Sequence, residues 1–85
     1  MRILGLRKQG DNGCAITLEV HEATYEIVAG GIRRDELLGG MVRSFEPCRV
    51  FQEIPLSAAQ VRALTRTAVE FHEGASLVLP MDVPA

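Results

Sequence analysis

The chain has 85 residues, 47% of them hydrophobic and 24% charged, with a net charge of −2. That length fits one domain with a thin core, and the apolar content is too high for intrinsic disorder. The negative balance argues against a generic nucleic-acid or anionic-membrane binder, and no stretch approaches the ~20 apolar residues of a membrane span.

Residues Arg2–Arg7 read as a first strand. Gln9–Gly13 follows as a turn, in which Asn12-Gly13 offers the positive-φ residues that a hairpin loop needs. Cys14, Ile16, Leu18 and Val20 then alternate with Ala15, Thr17 and Glu19, a period of two that marks a half-buried strand. His21-Glu22 is a weak break, and Thr24–Ala29 reads as a third strand because it is rich in β-branched and aromatic residues. The simplest arrangement is an antiparallel meander. A single strand running on through His21 is the alternative.

Gly30-Gly31 ends this segment. Ile32–Leu38 fits one or two helical turns stopped by Gly39-Gly40, or a loop that tucks Leu37 and Leu38 into the core. Met41–Phe45 suits an edge strand interrupted by Pro47, and Cys48–Ile54 reads as another strand. A helix then starts at Ser57. Gln60 three residues later completes a Ser-x-x-Gln capping box, with Leu56 and Val61 placed to form a hydrophobic staple. Val61, Leu64, Ala68 and Phe71 make its apolar stripe, and Gly74 suits the left-handed residue past its end. Ser76–Leu79 reads as a last strand stopped by Pro80. The expected fold class is therefore α+β: a mainly antiparallel sheet of four to five short strands packed on one C-terminal helix, in the order β-β-β-(loop)-β-α-β. Residues 1–80 form the single domain, and residues 81–85 a flexible tail.

Two cysteines, Cys14 and Cys48, stand outside any C-x-x-C, and Met1–Lys8 has too short an apolar run for a signal peptide. A cytoplasmic location with reduced thiols follows as the expectation, with Cys14 in the core beside Ile16 and Leu18. Cys14, Cys48, His21 and His72 lack the close paired spacing of a zinc site. A Cys48–His72 nucleophile pair has no orienting third group in the sequence. The Gly30-Gly31 and Gly39-Gly40 pairs match no phosphate-binding loop. No catalytic residue, metal or cofactor is therefore expected.

Eight of the nine basic residues are arginine, whose planar fork suits carboxylate and phosphate. The candidate binding residues are Arg33 and Arg34, in a Gly-flanked loop, and Arg62 and Arg66, four apart on one helical face. Glu70, one turn on, is placed to neutralise Arg66. The leading expectation is a non-enzymatic protein-binding module: a small adaptor, inhibitor or regulator, by analogy of the kind found in phage and mobile elements. It would form a homodimer or engage a protein partner through a sheet edge or apolar patch. A nucleic-acid-binding regulator using the arginines is the alternative, and a small metal protein or enzyme a weaker one.

Overall fold

The computed structural model describes residues 1–37, 39–46 and 50–84. Its first three strands, β1 (Arg2–Lys8), β2 (Cys14–Val20) and β3 (Ala23–Gly30), form the expected antiparallel meander. The β1–β2 loop closes with Gln9 N–H donating to the Gly13 carbonyl at 3.0 Å. Its left-handed residue is Gly10 (φ 66°), not Asn12 or Gly13. Gly13 is needed for a different reason: a Cβ there would lie 2.3 Å from the Gln9 carbonyl oxygen. The break at His21-Glu22 is a two-residue turn with both residues left-handed (φ 48° and 67°), the geometry that matches the twist of a tight hairpin.

Period two then builds the core. Pairing puts Ile3 opposite Leu18, Ile16 opposite Ile27 and Cys14 opposite Ala29, and all six are buried on one face. Each fully buried Ile or Leu contributes roughly 1.5–3 kcal/mol relative to exposure. On the opposite face Arg2 pairs with Glu19 at 2.5 Å and Arg7 with Glu26 at 2.7 Å.

Between β3 and the helices the chain departs from expectation. Residues 33–35 form a strand in place of the expected helical turn, and Ile32, not Leu37, enters the core. β4 (Arg33–Asp35) pairs with β5 (Gly39–Met41) as a separate two-stranded ribbon, and Leu37 is 95% exposed; Leu38 lies outside the described residues. β6 (Ser44–Glu46) joins the outer edge of β3. The strand expected at Cys48–Ile54 is instead the short helix α1 (Val50–Glu53), with Cys48 and Arg49 outside the described residues. β6 pairs with the Val28–Gly30 end of β3, and β-propensity, which depends on context, does not decide the conformation of Val50–Glu53.

Helix α2 (Ala58–His72) begins as its sequence requires. Ser57 Oγ accepts from Gln60 N–H at 3.1 Å, and Gln60 Oε1 accepts from Ser57 N–H at 2.9 Å. It ends in a Schellman motif: Ala75 N–H donates to the Glu70 carbonyl and Gly74 N–H to that of Phe71, with Gly74 at φ +90°. Leu64 and Ala68 face the sheet and are buried, and Phe71 is half-buried against the same core. Val61 departs from the expected stripe and is 38% exposed, while Val69 is buried in its stead.

The last strand falls later than expected. Ser76–Leu79 is irregular, and β7 (Met81–Asp82) pairs with Arg2 and Ile3 of β1. The expected loose tail thus completes a five-stranded sheet of order β6-β3-β2-β1-β7. Val83 is buried, and its N–H donates to the Met1 carbonyl at 3.0 Å. An apolar residue with a free edge beside it has both burial and a ladder partner to gain. The architecture remains α+β, one long helix on one face of an antiparallel sheet.

Candidate functional site: the groove between ribbon and helix

The β4–β5 ribbon rests on α2 because Gly40 has no side chain. A Cβ there would come within 2.6 Å of Val69 Cγ1 and 2.9 Å of Cγ2. Arg34 lies opposite Gly40 in the ribbon and makes a two-point contact with Glu73 at the helix end. Its Nε donates to Glu73 Oε2 at 2.8 Å, and Nη2 donates to Oε1. Hydrogen bonding to Arg34, reinforced by its charge, holds the Glu73 carboxyl below its ordinary range and raises the guanidinium in turn. The ribbon is thus fastened at a Gly–Val contact and at an ion pair.

Between ribbon and helix runs an open groove of about 470 Å³. Arg34, Arg62 and Arg66 line it with Glu70, over Gly40, Val61, Thr65 and Val69. Thr65 turns its hydroxyl back to the Val61 carbonyl at 2.8 Å. Three of the four arginines singled out by the sequence therefore meet in one place. Arg33 does not. Successive strand residues point to opposite faces, and Arg33 lines a different cleft with Met41 and Arg43, its Nη2 4.0 Å from Met41 Sδ.

Among the described residues neither Arg62 nor Arg66 has an ion-pair or hydrogen-bond partner, and Glu70 does not pair with Arg66 as expected. With Arg34 neutralised by Glu73, Arg62 and Arg66 against Glu70 leave the groove with one net positive charge, on a chain of net charge −2. Gly40, Glu73 and the exposed Val61 were not legible as site residues. The one hint was the Gly39-Gly40 pair, which reads equally well as a helix stop.

The soft ligands are scattered. Cys14 is fully buried, its Sγ 3.7 Å from the Ala15 carbonyl oxygen, and burial pushes its thiol pKa up, away from nucleophilic thiolate character. His21 is exposed in its turn. His72 Nδ1 is buried with no hydrogen-bond partner among the described residues. Cys48 lies outside the described residues. Among the described residues no three His, Cys, Asp or Glu side chains gather as a metal site would need. Among them, too, no helix is long and apolar enough to cross a membrane.

Compared with models of protein families, with curated proteins and with solved structures, the chain matches none.

Proposed function

We propose that this chain is a non-enzymatic protein-binding module, a cytoplasmic adaptor, inhibitor or regulator, whose contact surface is the groove between the ribbon and α2. One observation carries the reading. Two unpartnered guanidinium groups, Arg62 and Arg66, stand one turn apart on a rigid helix beside the exposed Val61. A guanidinium is weakly hydrated and grips carboxylates in a two-point fork. Arginine set around apolar side chains is also the composition of interface centres, where lysine and aspartate are depleted. The ligand class that suits it is a protein segment presenting carboxylates next to an apolar side chain.

A phosphate backbone fits less well. Glu70 lines the groove, Glu73 adjoins it through Arg34, and a nucleic-acid binder gains affinity from a row of cations. The test is capture from nuclease-treated extract of the native host, with the wild-type chain and Arg62→Gln/Arg66→Gln as paired baits. Glutamine keeps helix propensity nearly unchanged. We expect a protein retained by the wild type and depleted at least about tenfold on the variant. Submicromolar binding of duplex DNA at physiological salt, lost in the same variant with a flatter salt dependence, would overturn the reading.

A further inference from the structure

We infer that the groove is filled by the β4–β5 tip of a second copy of this chain, so that two copies dock reciprocally. The inference rests on the reading of the groove as a protein-binding surface and names its occupant. Leu37, at the tip, is 95% exposed, while its own N–H donates to Asp35 Oδ1 at 2.8 Å and fixes the turn. Glu36 beside it is exposed. A single exposed leucine is ordinary on any surface. This one is informative because the same molecule carries the complement: the unpartnered Arg62 and Arg66 for the carboxylate, and Val61 for the leucine.

The tip also adjoins the groove. Gly40 lines the groove, and Asp35 and Gly39 form the last ribbon pair before the turn. Tip and groove therefore belong to one patch, as a closed two-fold contact needs, because each copy must offer both halves of the interface. The Arg34–Glu73 pair and the contact of Gly40 with Val69 hold the base of the ribbon against α2, which lowers the entropy lost on docking.

The β1–β7 edge of the sheet is a poorer candidate. Among the described residues β1 is unpaired on its outer side beyond Ile3, but it has a bulge between Ile3 and Gly5 and carries Arg7 and Lys8, devices that discourage edge pairing. β7 is two residues long, and Pro80 precedes it.

Sedimentation equilibrium from about 1 µM to about 1 mM tests the inference by charge exchange. The wild type should dimerise. Arg62→Glu/Arg66→Glu and Glu36→Arg should each weaken the dimer at least about tenfold, because each homodimer then faces like charges. An equimolar mixture of the two variants should recover a heterodimer, since each tip then meets a groove of opposite sign; recovery also shows that both variants are folded. A wild type that stays monomeric throughout would overturn the inference, as would a dimer indifferent to both variants. In either case, a heterologous protein captured through Arg62 and Arg66 would leave the protein-binding reading standing. Nucleic-acid binding through those arginines would remove that reading as well.

Discussion

The two faces of this small fold use arginine in opposite ways. On the open face of the sheet, Arg2 is bound to Glu19 and Arg7 to Glu26, each across the strands. On the exposed side of α2, Arg62 and Arg66 have no partner among the described residues, although Glu70 lies one turn from Arg66. Arg2 and Glu19 face each other in the register, and Arg7 reaches over β2 to Glu26, so this solvated sheet face satisfies these charges itself. The helix face keeps its donors available. A charge count treats all four residues alike, and only the pairing separates a face that stabilises the chain from one that can hold something else.

The sharpest way to break this contrast is to lift the ribbon. Gly40→Val sets side-chain atoms against Val69 where even a Cβ would lie 2.6 Å away, and overpacking of this kind costs about 1–3 kcal/mol. A calorimetric Tm should fall by roughly 4–8 °C per kcal/mol. The sheet-face pairs should survive, as Arg2 and Arg7 amide and side-chain shifts in NMR would report. An unchanged Tm would mean that the ribbon does not rest on the helix.

Ser57→Ala removes the acceptor of the Gln60 N–H and should cost about 1 kcal/mol, read as a lower Tm. On the sheet side, Glu22→Gly should act in the opposite direction. Glu22 sits at φ 67°, where glycine meets no steric penalty, so a gain of about 0.5–1 kcal/mol is expected. A lower Tm for Glu22→Gly would show that the turn is not left-handed there.

The smallest effect belongs to the exposed Arg34–Glu73 clamp. The folded Glu73 pKa lies below its ordinary 4.5, so its contribution is complete above pH 4.5 and is lost as the pH falls through the folded value. The Tm difference between wild type and Glu73→Gln should therefore shrink below pH 4.5 and vanish in stronger acid. A difference that persists there would assign the effect of the substitution to packing.

Much of the frame is legible from residues alone. Strict alternation in Cys14–Val20, the Ser57/Gln60 box and Gly74 are local signals whose physics acts within a few residues. The short segments are not legible in this way, because each takes whatever place the rest of the fold leaves. Val50–Glu53 coils into α1 despite its β-branched and aromatic residues, and Met81–Asp82 becomes a strand because β1 offers it a partner. The site divides in the same manner. Arg62 and Arg66 follow from helical spacing. Arg34 joins them, and Arg33 leaves them, only because Arg33–Asp35 is a strand and neighbouring strand residues face opposite ways. Gly40 matters through a contact made 29 residues away in sequence, at Val69, and no local pattern announces that.

The sheet arginines act within the chain, and on the proposed reading the helix arginines act between chains. Two double variants, Arg2→Gln/Arg7→Gln and Arg62→Gln/Arg66→Gln, test it when Tm at a concentration too low for association and self-association at high concentration are measured on each. The sheet pair should lower Tm slightly, on the order of one or two degrees, and leave association unchanged. The helix pair should leave Tm unchanged and weaken association by about tenfold or more. The reverse pattern, association lost with Arg2 and Arg7 and Tm lost with Arg62 and Arg66, would contradict it.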